Sequence, residues 1–257
     1  MSNLLGPGDP PPVEVLNPDG RAPFLMTCDH AGRAVPKALG RLGLDDGVFE
    51  RHVAWDIGAA AVARRLSAAL DAPTVFSAYS RLVIDCNRAP GHRGSIPRES
   101  DGVRVPGNAK LSPKDVERRR REIFAPYHAA IERLIRARLD AGRPLAVLAV
   151  HSFTPEMAGE KRRWHVGVLW DEDARLARPL LAALRADRTL CVGDNEPYSA
   201  RRRQGYGLHV HAADHGLPGV LLEIRQNLIA DESGQAAWAE RLGAILPGAL
   251  EEAGVRR

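Results

Sequence analysis

The sequence predicts an α/β protein, a three-layer sandwich around a mixed, mostly parallel central sheet. Three observations carry this expectation. Residues 145–150 (LAVLAV) are an unbroken apolar run between Pro144 and a polar His151-Ser152 pair, as a strand buried on both faces of a parallel sheet reads. Apolar runs of this kind alternate with helix-periodic segments along the chain, the pattern of strand–helix–strand units. The 257 residues, 44% of them hydrophobic, are enough to bury a substantial core.

Taken in order, residues 1–21 are rich in Pro and Gly and read as an extended arm, with residues 22–257 as one α/β domain. Residues 22–27 (APFLMT) are a short strand leading to Cys28-Asp29-His30. Residues 34–48 read as irregular, with turns at Gly40, Gly43 and Gly47. Residues 57–70 form an Ala-rich helix with Asp56 at its start, a favoured residue for a plain N-cap. Residues 74–79 and 81–84 (RLVI) are β-prone, and 89–107 is a Gly/Pro/Arg loop long enough to suggest binding. Ser112 as N-cap and Pro113 in the first turn open a long helix that stops at Gly142. Strands follow at 164–170, 189–192 and 219–224, helices at 173–186 and 236–250, and a second functional-looking loop at 193–207.

Several classes are set aside. No run approaches the roughly 20 apolar residues of a membrane span. The first residues lack a basic segment followed by an apolar one, so they do not read as a secretory leader. Cys28, Cys86 and Cys191 have no CxxC spacing and read as reduced thiols of a cytoplasmic protein. The net charge of +4 is mildly basic. The Arg clusters at 118–121, 161–163 and 201–203 are interleaved with acids and lack stacking aromatics, so they read as solvated faces and nucleic acid is not the expected partner.

The chemistry is expected at strand ends, because ligands of open α/β sheets sit beyond the carboxyl ends of strands. His30, Asp85-Asn87-Arg88, His151, His165 and Glu223 occupy such places. Two imidazoles and one carboxylate with an open position make the usual catalytic zinc site. His30 and His151 supply the imidazoles, and Asp56 or Asp29 the carboxylate. Asp29 adjoins His30, and neighbouring strand residues point to opposite faces, which argues for Asp56. Glu223 follows four apolar residues, where a carboxylate is rarely buried alone. It reads either as a salt-bridge partner of Arg225 or as a general base beside a metal.

These residues resemble the N-formylglutamate amidohydrolase family and, more distantly, the zinc carboxypeptidases. The resemblance lies in His30-Ala31-Gly32 through Pro36 (an HxGxxxP element), SRLVIDCNRAP at 80–90 (DxNR), VHSFTP at 150–155 (HS) and GLPGVLLEIRQNLI at 216–229. It implies a zinc carboxypeptidase-like fold and hydrolysis of the amide of a small N-acyl amino acid such as N-formylglutamate. It implies Zn2+ on His30, His151 and a carboxylate, with Glu223 as base and acid. It also implies that Asn87 and Arg88 hold a substrate carboxylate. Arg88 with Arg225 is expected to anchor that carboxylate or to meet the developing oxyanion, which makes Arg225 a catalytic candidate beside Glu223, and Ser152 is expected to face substrate. The carboxypeptidases take their acidic ligand three residues after the first histidine, where this chain has Arg33, so Asp56 is put in that role. Tyr198 or Tyr206 is expected to close over substrate, and His209, His211 and His215 to support the site. The rival expectations are a peptidase or cell-wall amidase, and a non-catalytic module binding anions or nucleic acid.

Overall fold

The computed structural model describes residues 3–202 and 205–256, residue 202 by its backbone alone, so part of the expected Arg cluster at 201–203 lies outside the described residues. Seven strands form one sheet: β1 (Val13–Leu16), β2 (Phe24–Cys28), β3 (Thr74–Ser77), β4 (Ala146–Phe153), β5 (Val166–Leu169), β6 (Val192–Asp194) and β7 (Gly219–Arg225). Their order across the sheet is β1-β3-β2-β4-β7-β5-β6. The four central strands β3, β2, β4 and β7 run parallel, while β1 and the β5–β6 pair run the opposite way.

Alternation along the central strands sorts the core into two layers. Ala146, Leu148 and Val150 of β4, with Val220, Leu222 and Ile224 of β7, pack under α1 (Ala59–Leu70), α4 (Ala177–Ala186) and α6 (Glu232–Glu252). Val147, Ala149 and Leu221 face the other way, against α3 (Ala125–Asp140). The sandwich is therefore three-layered, as expected. The expected long helix is α2 (Pro113–Arg119), a π turn (Arg120–Phe124) and α3 in succession. Its start carries the reciprocal capping box of Ser112 and Asp115, with Pro113 in the first turn. α5 (Gly207–His211) is a short helix lying beside β7.

The structure departs from the sequence expectations in instructive places. The amino-terminal segment is extended but does not stand apart, since β1 adds to β3 as an edge strand and Leu4 is buried. Residues 37–43 and 46–50 wind into 3-10 turns. The apolar run 81–84 is not a strand. It is a buried turn whose Leu82 carbonyl accepts from Asn108 Nδ2 (2.8 Å) and whose Val83 carbonyl accepts from Arg119 Nη1 (2.9 Å). Side chains here do what a neighbouring strand would otherwise do for buried carbonyls. Arg119 is accordingly 1% exposed, which corrects the reading of the 118–121 cluster as wholly solvated.

Candidate metal centre and active site

Three donors from distant parts of the chain converge at the rim of the sheet. One nitrogen each from His30 and His151 and a carboxylate oxygen of Asp56 lie within 4.8 Å of one another, all buried. His30 follows the end of β2, and His151 lies inside β4 instead of after it, because pairing with β7 extends the strand to Phe153. Asp56 does not cap α1. Gly58 is the N-cap, in the left-handed region at φ 80°, where a Cβ would also meet the Ile229 carbonyl. The backbone amide of Asp56 donates to the His30 carbonyl (3.0 Å), and its carboxylate turns inward. His30 Nδ1 lies 3.3 Å and His151 Nδ1 2.8 Å from Asp56 Oδ2.

Each imidazole is held from behind by a second carboxylate. His30 Nε2 is 2.8 Å from Asp85 Oδ1, and His151 Nε2 is 3.1 Å from Asp29 Oδ2. Tyr127 of α3 donates its hydroxyl to Asp29 Oδ1 (2.6 Å), and the Asn87 amide donates to Asp85 Oδ1 (2.8 Å). Such carboxylates fix the ring orientation and keep the proton on Nε2, leaving both Nδ1 atoms facing a common point. Arg81 bridges the acids, donating to Asp85 Oδ2 at 2.9 Å and lying 3.5 Å from Asp56 Oδ1.

The charges are strongly coupled. Burial opposes the ionised form of Asp29, but the hydrogen bond and charge of His151 hold its carboxyl at about 2. Burial likewise opposes ionised Asp56 and Asp85, and the neighbouring imidazoles with Arg81 outweigh it, leaving both well below the usual carboxylate range. His151 and His30 are raised in spite of burial because carboxylates face them. Two imidazoles and one carboxylate with converging atoms are a donor set that fits a divalent cation, for which protons compete.

Glu223 sits beside this group. It is the register partner of His151 across β7 and β4, and of Gly167 across β7 and β5. Gly167 in turn opposes Gly193 of β6, and a Cβ on either glycine would strike the Glu196 carbonyl. The two glycines let the 195–198 loop lie directly on the sheet next to Glu223, bringing Tyr198 to the cavity. Glu223 Oε2 is buried with no hydrogen-bond partner among the described residues, and burial pushes its carboxyl up to about 7. It makes no salt bridge to Arg225 among the described residues.

A cavity of about 400 Å³ opens onto these groups, lined by His30, Asp56, His151 and Glu223 and also by Asn87, Arg88, Ser152 and Tyr198. Asn87 Oδ1 accepts from the amides of Tyr206 (2.8 Å) and Gly207 (3.0 Å), so that oxygen anchors α5 and only Nδ2 is left for a ligand. Ser152 is a brace, its hydroxyl donating to the Ile57 carbonyl (2.8 Å) and its amide to Asp56 Oδ2 (3.3 Å). The Tyr198 hydroxyl accepts from Arg162 Nη1 (2.7 Å). Two expected residues are not brought to the cavity. Arg225 is drawn to Asn227 Oδ1 (3.0 Å) and the carbonyls of Arg162 and Arg163, and Tyr206 packs on the rings of Phe124 and His128. His165 accepts from the Cys191 amide, outside the site.

The expected histidine cluster divides. His209 lines the cavity, His215 pairs with Glu132, and His211 is buried with its Nε2 2.7 Å from His128 Nδ1. His128, on α3, is a buried ring. Sequence reasoning assigned no role to Asp85, Arg81 or Tyr127. The first two stand in the quoted 80–90 segment, whereas Tyr127 comes from mid-helix and leaves no local signal.

The family model of N-formylglutamate amidohydrolase matches residues 22–230. The crystal structure of gene product Atu2144 from Agrobacterium tumefaciens is 37% identical, with a TM-score of 0.94 over 97% of this chain and 98% of that one. N-formylglutamate amidohydrolase from Ralstonia eutropha JMP134 is 20% identical, with a TM-score of 0.68 over 95% of this chain and 97% of that one, a likeness of fold. No curated protein sequence matches. Fold and family together define a hydrolase of amide bonds. The chain belongs to the N-formylglutamate amidohydrolase family.

Proposed function

We propose that the chain hydrolyses the amide of a small N-acyl amino acid, of which N-formylglutamate is the family's example, with Zn2+ held by His30, Asp56 and His151. The observation that carries this reading is the buried Glu223 Oε2, without a partner among the described residues, beside three convergent donors. A buried carboxyl with no partner is costly unless it has a task, and a value near 7 suits a proton shuttle. When bound, the ion supplies a Lewis acid for the acyl carbonyl and makes water a better nucleophile near neutral pH.

The chain's own residues do the rest. Asp29 and Asp85 keep both histidines in the tautomer that presents Nδ1. Glu223 takes the proton of the attacking water at a carboxylate oxygen and returns it to the leaving nitrogen. Arg88, whose Nη1 also donates to its neighbour's carbonyl (2.8 Å), holds the substrate carboxylate with Asn87 Nδ2. Tyr198, clasped by Arg162, covers the cavity. Arg225 supports the strand end and plays no direct part.

The cavity's volume of about 400 Å³ favours a small molecule over a cell-wall peptide. Arg118 and Arg120 of the basic cluster are paired with Asp115 and Glu117, which weakens a nucleic-acid reading. No described helix is long and apolar enough to cross a membrane, and the three cysteines are free, which supports action in the reducing cytoplasm. The test is formate or acyl release by zinc-loaded protein from N-formyl-, N-acetyl- and peptidyl-amino acids. Turnover that is lost on chelation and restored by zinc is expected. Stoichiometric zinc without turnover of any of them overturns the reading.

A further inference from the structure

The cavity does not end at Glu223. It continues along the same face of β7 to Leu221, two residues back and about 7 Å along the strand. Leu221 opposes Leu169 of β5 in register, and Leu208, Ala212 and Leu217 form the facing wall from α5 and the turn after it. All five are buried side chains that nonetheless line the cavity. That roof is seated tightly, since a Cβ on Gly219 would lie 2.5 Å from the Ala212 Cβ and 2.8 Å from Leu208 Cδ1. The compartment is hydrocarbon-walled and starts next to the candidate base.

Beyond Leu169 the cavity is also lined by Asp171, Glu172 and Asp173, the last in an ion pair with Arg175. Of the lining guanidiniums among the described residues, Arg81 is held by Asp56 and Asp85, while Arg88 has no carboxylate at salt-bridge distance. One substrate carboxylate is therefore served at the Arg88 side. A second carboxylate carried into the leucine compartment would lose its hydration among hydrocarbon, which costs several kcal/mol in general.

We propose that the substrate carries a branched, linear or aromatic hydrocarbon on one side of its scissile amide, seated between Leu169, Leu221 and Leu217, and that these leucines select it over a carboxylate-bearing arm. This rests on the amide-hydrolase reading and narrows its substrate class. The hydrocarbon can belong to the amino acid's side chain or to the acyl group, and the compartment recognises the same chemistry in both.

Zinc-loaded full-length protein assayed with N-formyl-L-glutamate, N-formyl-L-leucine and N-hexanoyl-L-glutamate separates these sources. The expected result is a kcat/KM about tenfold or more higher for one of the latter two than for N-formyl-L-glutamate. Which of them leads identifies the arm. Leu217→Arg lowers that preference chiefly through KM. Highest kcat/KM for N-formyl-L-glutamate overturns the proposal while leaving the amide-hydrolase reading intact. If none is turned over, that reading fails, and calorimetric binding of the same three compounds decides the compartment alone: tighter binding of an apolar one supports it, and equal or weaker binding overturns it. The same binding measurement on Leu169→Ala serves if Leu217→Arg does not fold.

Discussion

His151 and Glu223 stand directly opposite each other on adjacent parallel strands, with their side chains on the face that carries α3. Register pairing makes their proximity a property of the sheet and not of a loop. One residue presents Nδ1 to Asp56 at 2.8 Å, and the other keeps a buried oxygen without a partner among the described residues. A rigid base beside a rigid donor needs no reorganisation when the reaction starts.

Glu223→Gln is the sharpest probe of that relationship. The amide keeps the shape but cannot accept the water's proton, so kcat should fall by about 10²- to 10⁴-fold. Zinc content, read by elemental analysis, should stay at the wild-type level. Turnover within a few-fold of wild type would remove Glu223 from the role of base.

The same carboxyl should leave a mark on stability. In the folded, zinc-free chain it holds its proton to about 7, whereas an unfolded glutamate releases it near about 4.3. Between those values the folded state binds the extra proton, so this group's contribution to stability falls as pH rises. Asp29 has the opposite sign: its folded value of about 2 lies below the unfolded one, and its contribution is lost as pH falls through that window. Urea titrations of chelator-treated protein from about pH 5 to about pH 8 should show a steeper decline for wild type than for Glu223→Gln.

Metal affinity should depend on the carboxylates behind the histidines. Asp85→Asn removes the charge 2.8 Å from His30 Nε2, and a loss of about 10- to 100-fold in zinc affinity is expected from competition with a chromophoric chelator. Affinity should also weaken on acidification, because His30 and His151 are raised and must give up protons to bind. Unchanged affinity in the variant would show that Asp85 does not act through His30.

Arg119 is predicted to matter for folding while lying away from the cavity lining. Its Nη1 satisfies the Val83 carbonyl at 2.9 Å and donates to Asn108 Oδ1 at 2.7 Å. Arg119→Met should cost about 1–3 kcal/mol in denaturant unfolding, by leaving those acceptors dry and unpaired. The 81–84 turn it supports carries Arg81 and leads into Asp85, so zinc affinity should fall along with stability.

Arg88→Ala should raise KM by about tenfold or more with a smaller change in kcat, as expected when a carboxylate anchor is lost without touching the base. Steady-state kinetics on a substrate with a free carboxylate, compared with its methyl ester, checks this. An equal loss for acid and ester would show that Arg88 does not hold the carboxylate.

Much of the architecture was legible locally. The LAVLAV and GVLL runs became the body of β4 and β7 because consecutive apolar residues leave a strand no solvent face, and Ser112-Pro113 became a helix start because both residues suit one. His30, His151 and Glu223 stood out because ionisable groups at the ends of such runs need a reason to be buried. Other features were settled only by the assembled sheet. Asp56 could have capped α1, and its turn inward depends on Gly58 meeting Ile229 from far along the chain. RLVI has the composition of a strand, yet it turns because Arg119 and Asn108 serve its carbonyls. Arg225 shares the quoted segment with Glu223, but carbonyls at 162 and 163 draw it out of the cavity. Local pattern determines which residues are buried and in what form, since that depends on neighbours a few positions away. Which polar groups meet is decided by the strand order, which sets His151 between Asp29 and Glu223 although 122 residues separate it from Asp29.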